Sequence, residues 1–182
     1  MAVCIILEFT KIMSEVIAAY HSPVGLLTIK ATDKSVSAVL FAKTGLNTSS
    51  ENIITEIKNH HHPVIQKCCK QLQEYFDGKR KQFDLPLEQQ GTLFQQKVWN
   101  ELLRIDYGKT ISYMELSKRI GDVKAIRAVG TTNGKNQIAI IVPCHRVIGS
   151  NGELTGYAGE LWRKKWLLQH EAKFGNGVQT LF

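Results

Sequence analysis

No apolar run in these 182 residues is long enough to cross a bilayer, which takes about 20 consecutive apolar residues in a helix, so the chain reads as one that stays out of the membrane. Residues 1–7 are apolar but carry no basic leader and are followed directly by Glu8, which makes them a poor signal peptide. The four cysteines (Cys4, Cys68, Cys69 and Cys144) lack the paired spacing of a disulfide framework. Free thiols in that pattern fit a reducing compartment and a cytoplasmic protein, or a nuclear one in a eukaryote, with no dense basic cluster to mark nuclear import. Internal repeats and low-complexity tracts are also missing. With 43% hydrophobic residues there is material for one large core or two small ones.

Charge is present but uneven. Residues 1–90 hold ten Lys and Arg against nine Asp and Glu, whereas 91–182 hold thirteen against seven, so the net +7 belongs almost wholly to the second half. An asymmetry of this size favours a polyanion partner, and nucleic acid is the usual one. Composition shifts after Lys79-Arg80-Lys81-Gln82, and Glu88-Gln89-Gln90-Gly91 reads as a linker between a first domain, 1–88, and a second, 91–175.

In the first domain, Leu26-Leu27-Thr28-Ile29 and the run from Val36 to Phe41 are β-rich segments around the turn Thr32-Asp33-Lys34, a hairpin within residues 18–41. A polar loop at 45–50 leads to a short helix carrying Ile53, Ile54 and Ile57. Beyond Pro63, the residues Ile65, Cys68, Cys69, Leu72, Tyr75 and Phe76 recur at helical steps until Gly78. His60-His61-His62 ahead of two cysteines invites a metal site. Adjacent side chains on a helix do not converge on one ion, however, so core packing is the better reading.

The second domain is punctuated by helix signals. Thr92 to Gln95 is a capping box opening a helix with Phe94, Val98, Trp99, Leu102 and Ile105 inward, and Ser112 to Glu115 is a second box opening a short helix that Gly121 closes. Asp122 caps a third, from about Val123 to Thr132, stopped at Asn133-Gly134. Two short helices joined by a glycine turn make a helix-turn-helix. On its second helix Val123, Ile126, Val129 and Gly130 share the inner side, and Lys124, Arg127 and Thr131 the outer one. That outer face is either a DNA-tracking surface or an ordinary solvated face.

Chemistry concentrates between Ile138 and Gly149. A run of apolar, mostly β-branched residues ends at Pro143, and Cys144, His145 and Arg146 follow at once, before Val147-Ile148-Gly149. Burying a thiol, an imidazole and a guanidinium unpaired is costly, so their apolar frame suggests that they have a use, against the alternative of a core cysteine beside a surface His-Arg pair. Downstream, Leu154 to Gly159 is a glycine-rich loop able to approach a ligand closely. In the last helix, Leu161 to Lys173, Glu171 lies three and four residues from Leu168 and Leu167, either an edge charge or the buried partner of a cation.

These motifs, in order, resemble the O6-alkylguanine–DNA alkyltransferases: Pro143-Cys144-His145-Arg146-Val147, preceded by Ser112-Tyr113, Arg127-Ala128-Val129-Gly130 and Asn133-Gly134 with Asn136, and followed by Thr155-Gly156-Tyr157-Ala158-Gly159 and Leu167-Leu168 through Glu171. The likeness is dense from Gly91 to Glu171 and thinner before. It implies an α+β, two-domain chain (α/β in its first part): an N-terminal ribonuclease-H-like antiparallel sheet with helices, then a mostly helical winged-helix/helix-turn-helix domain. It also implies DNA repair by a methylated-DNA–[protein]-cysteine S-methyltransferase. A guanine bearing an O6-alkyl group is flipped from double-stranded DNA and its alkyl group moves irreversibly to Cys144, with O4-alkylthymine left open as a second substrate.

The resemblance assigns roles as well. Cys144 is the nucleophile and acceptor, His145 its base, Glu171 the carboxylate that orients His145, Tyr113 a proton donor to the departing guanine, and Asn136 a brace for the active-site turn. Arg127 fills the gap left by the flipped base, with Tyr113, Lys124 and Thr131 also on DNA. Backbone groups at Cys144 and Val147 hold the base edge, Tyr157 and Ala158 wall the pocket, and Arg146 makes a structural salt bridge. A monomer acting once, without cofactor, is implied. Cys4 and His21 do not reproduce the four-ligand zinc set of some relatives, so no metal is expected. Asp106, Val123 and Gln137 stand where relatives usually carry proline, and Glu160 where a glycine is common.

Overall fold

A computed structural model of the chain describes residues 15–42 and 62–175. Cys4, the polar loop at 45–50, the helix expected around Ile53 to Ile57, and His60 and His61 lie outside the described residues.

Alternation along the first segment builds an antiparallel sheet of β1 (Val16–Ser22), β2 (Gly25–Ala31) and β3 (Val36–Phe41), in that order. Leu27, Ile29 and Ala31 point inward at every second position and are fully buried. The expected hairpin is therefore two strands, β2 and β3, of a three-stranded sheet with β2 at its centre, and β1 joins β2 through a two-residue turn, with Ser22 paired to Gly25. Helix α1 (Pro63–Phe76) begins on the His62 cap, which accepts from the Ile65 amide at 3.4 Å, and lays Ile65, Cys68, Leu72, Tyr75 and Phe76 on the sheet. Burial pushes the Cys68 thiol up to about 12, as expected of a core thiol with no acid-base work.

The segment read as a linker is a strap. Val36 donates to the Pro86 carbonyl at 2.9 Å, and Glu88 donates back to the Val36 carbonyl at 2.9 Å. Farther along the same strand, the Val39 amide donates to Gln137 at 2.8 Å and Ala139 donates to the Val39 carbonyl at 2.9 Å. One strand of the first half is thus hydrogen-bonded to the turn that leads to Cys144.

The second half holds α2 (Leu93–Leu102), β4 (Ile111–Ser112), α3 (Tyr113–Arg119), a 3-10 turn (Val123–Ala125), α4 (Ile126–Gly134), β5 (Val147–Ile148) parallel to β4, and α5 (Leu161–Phe174). The capping box at Thr92 and Gln95 is reciprocal; at Ser112 only half forms, its hydroxyl accepting from the Glu115 amide at 3.0 Å. Gly121, at φ 82°, turns the chain between α3 and the next segment, a conformation open to glycine at little cost. Asp122 caps the 3-10 turn rather than an α-helix, α4 runs on through Gly134, and Val123 is 51% exposed instead of inward. A buried bond from Trp99 Nε1 to the Thr132 carbonyl at 3.1 Å locks α2 onto α4.

Candidate active site

Asn136 organises the turn. Its Oδ1 accepts from the Ile138 amide at 3.0 Å and from Gln89 of the strap at 3.1 Å, while its Nδ2 faces the Val142 carbonyl at 2.8 Å and the Cys144 sulfur at 3.0 Å. The β-branched run before Pro143 is consequently no strand. Ile141 donates to the Ala139 carbonyl at 2.8 Å, closing a three-residue turn with Ile140 at φ 72°. That angle is strained for a β-branched residue and persists because Ile140 is fully buried. Cys144 opens the 3-10 turn Cys144–Arg146, and its carbonyl accepts from Asn133 Nδ2 at 3.2 Å.

Behind the cysteine lies a buried polar cluster centred on Glu171, itself 0% exposed. Oε1 accepts from the Tyr75 hydroxyl at 2.9 Å, His145 Nε2 at 2.8 Å and Arg146 at 3.0 Å; Oε2 accepts from Arg146 Nε at 2.9 Å and the Gly108 amide at 3.0 Å. Burial alone would raise this carboxyl, but the facing His145 and Arg146, with their hydrogen bonds, outweigh it and hold Glu171 well below the usual carboxylate range. His145 moves down, first because it is buried and then because Arg146 and Lys164 lie nearby, with Glu171 pulling the other way. The resting pair is an ionised Glu171 and a neutral His145, since Arg146, Tyr75 and Gly108 satisfy the carboxylate without a charged imidazole. With Nε2–H given to Glu171, the basic lone pair sits on Nδ1, which has no hydrogen-bond partner among the described residues.

Cys144 is 5% exposed, and burial raises its thiol above the usual value while Asn136 and Lys164 act in the opposite sense. The resting sulfur is therefore a thiol that needs a base. Among the described residues no hydrogen bond joins it directly to His145. The sulfur borders a cavity of about 90 Å³ that it shares with Tyr157 and Ala158. Those two residues also border a larger groove of about 680 Å³, lined besides by Tyr113, Arg127 and Thr131. The Tyr157 hydroxyl is buried beside the thiol, close enough to couple to it electrostatically but without an aligned hydrogen bond.

The remaining expected site residues separate into two sets. Tyr113, at the start of α3, packs beside Gly130, and burial raises its phenol, which keeps it a proton donor at neutral pH. Arg127 is exposed on the groove, and Thr131 turns its hydroxyl back to the Arg127 carbonyl at 3.0 Å. Lys124 is exposed on the 3-10 turn and does not line the groove. Val147 buries its side chain completely, so only its backbone remains to serve a ligand. Its carbonyl accepts from Lys164 Nζ at 2.7 Å, and the same ammonium reaches the Thr155 carbonyl at 2.9 Å. Burial lowers Lys164 to about 8. Sequence reasoning passed over Lys164, although it shares a helix face with Leu167, Leu168 and Glu171 at three- and four-residue steps.

The chain matches two family models, "6-O-methylguanine DNA methyltransferase, ribonuclease-like domain" over residues 16–89 and "6-O-methylguanine DNA methyltransferase, DNA binding domain" over 93–173. A methylated-DNA–protein-cysteine methyltransferase of Methanosarcina acetivorans is 43% identical across 85% of this chain and 96% of its own length. The chain belongs to this methyltransferase family. The constitutive Bacillus subtilis member is 44% identical over 76% of this chain and 84% of its own. Among solved structures, the Mycobacterium tuberculosis O6-methylguanine methyltransferase superposes with a TM-score of 0.77 at 38% identity, covering 91% of this chain and 97% of that one. The M. tuberculosis protein in complex with DNA gives 0.75 at 40%, covering 87% and 93%. Glu160, at the start of α5, takes φ 71° and ψ 146°, a region that glycine occupies far more readily.

Proposed function

We propose that this methyltransferase repairs double-stranded DNA by moving the alkyl group of an O6-alkylguanine onto Cys144. The observation that carries this reading is the 2.8 Å contact by which buried Glu171 fixes the His145 imidazole in the same 3-10 turn as the Cys144 thiol.

His145 takes the thiol proton, through a bridging water rather than by direct contact, and Glu171 stabilises the imidazolium. The sulfur electron pair forms the S–C bond as the C–O6 bond breaks and its pair passes to the guanine. The Tyr113 phenol gives the guanine ring a proton and regains one from His145 by way of solvent, so the net change is thiol plus alkylguanine to thioether plus guanine. Arg127, exposed beside the groove, enters the duplex where the base has left and offsets part of the few kcal/mol that flipping costs. Backbone groups at Cys144 and Val147 hold the base edge; the Cys144 carbonyl already accepts from both Asn133 Nδ2 and the Val147 amide, whereas the Val147 carbonyl, held by Lys164, keeps a lone pair for it. A thioether has no easy leaving path, so each monomer acts once, in whichever compartment, cytoplasm or nucleus, holds the genome.

The test is duplex DNA carrying a single O6-methylguanine, followed by peptide mass and product per protein. One methyl equivalent on the Cys144 peptide supports the reading. Unmodified protein would leave a lesion binder, and repeated turnover a hydrolase. Cys144→Ala keeps DNA binding and loses transfer; persistent transfer refutes the assignment.

A further inference from the structure

The cavity at the sulfur has a wall from the other half of the chain. Beside Ala139, Ala158 and Gly159 it is lined by Leu40 and Phe41, the last residues of β3. Several contacts fix that strand end in place. Val39 is hydrogen-bonded to Gln137 and Ala139 of the active-site turn. The Phe41 ring meets Tyr157 edge-on at 5.8 Å between centroids, and a Cβ at Gly159 would strike it. Arg163, only 5% exposed, lies over the Phe41 ring at 5.1 Å and donates to the Val24 carbonyl at 2.8 Å and the Gly159 carbonyl at 3.2 Å. The tip of the β1–β2 turn, the end of β3 and the pocket-side loop are therefore clamped through one guanidinium.

A new S–C bond at Cys144 needs room beside the sulfur for the carbon it receives. About 90 Å³ is well short of the ~150 Å³ of an apolar cavity that takes in benzene. That is room for a methyl or ethyl group and not for a benzyl group. We propose that Leu40 and Phe41 close the compartment that receives the transferred alkyl group, so the N-terminal domain sets the largest adduct this protein repairs. The inference rests on the alkyl-transfer reading above. The guanine itself occupies the larger groove, and the electron bookkeeping of the transfer is unchanged; only the space around the leaving carbon is at issue.

Single-turnover transfer rates from O6-methyl-, O6-ethyl- and O6-benzylguanine, each in the same duplex, test it with wild-type protein and Leu40→Ala, Leu40→Trp and Phe41→Ala. Leu40 is 38% exposed, so its replacements keep the fold, and a thermal melt checks this for Phe41→Ala. One methylene in an apolar pocket is worth about 10- to 200-fold. The benzyl-to-methyl rate ratio should rise at least tenfold in Leu40→Ala and Phe41→Ala, and the ethyl-to-methyl ratio should fall tenfold in Leu40→Trp. Ratios within twofold of wild type, with methyl transfer intact, overturn the assignment of Leu40 and Phe41 alone. A wild-type protein that transfers no methyl group sinks the alkyl-transfer reading and this inference with it.

Discussion

Replacing Glu171 with glutamine keeps its shape and removes its charge, which isolates what the carboxylate does. In the native protein both oxygens only accept, from Tyr75, His145, Gly108 and twice from Arg146. A glutamine must aim its NH₂ at one of those donor sets and leaves the buried Arg146 guanidinium without a counter-charge. Breaking a buried pair from one side costs about 3–5 kcal/mol. For a domain of 150–250 residues each kcal/mol moves Tm by roughly 2–4 °C. Calorimetry at pH 7 should therefore show Glu171→Gln melting about 6–20 °C below wild type, with transfer slowed about 100-fold or more because the His145 tautomer is no longer held. The gap should close in acid. Glu171 is depressed in the folded state, so its stabilisation is complete above the ordinary carboxylate value of 4.5 and is lost as pH falls from there towards the folded one. A melting point within about 3 °C of wild type at pH 7, with transfer within threefold, would refute the argument that this carboxylate carries the cluster.

The rate of transfer should stay level as pH is lowered to 6.5 and decline only below it, because burial holds His145 neutral under its ordinary value; a decline beginning above 7 in single-turnover assays would contradict that placement. Protein stability should fall over the same lower range, since the unfolded chain takes up a histidine proton near 6.5 that the folded one refuses. Arg127→Ala should slow repair of duplex DNA about 10- to 100-fold while leaving transfer from the free O6-methylguanine base within threefold, and equal losses on both would remove Arg127 from base flipping. At position 160, glycine should be more stable than alanine by about 1–2 kcal/mol, because both lose the carboxylate and only alanine keeps the strained backbone; denaturant midpoints that rank alanine above glycine would contradict the strain.

Much of the architecture is local, and so it is legible from the chain. Alternation along β2 and β3, the helical stripe after Pro63, the Thr92 box and the glycine at the helix turn each follow from a handful of neighbouring residues. The motif around Cys144 is equally plain, because a thiol, an imidazole and a guanidinium are costly to set side by side in an apolar frame unless they act together. Val123 and the Ser112 box show where such rules give way, since one side of a pattern is assigned inward without knowing what covers it.

Packing decided the rest. Nothing in the β-branched run from Ile138 to Val142 announces a buried turn, which exists because Asn136 and β3 capture its backbone. Lys164 reads as one more surface cation until two carbonyls close over it, and whether Glu171 is an edge charge or a buried partner was settled by donors 63 to 96 positions away in sequence for Gly108 and Tyr75. The residue types that can do the chemistry are written in the chain, because each side chain carries its own reactivity. Which of them are desolvated, charged and facing one another depends on distant segments meeting, and that only the folded protein determines.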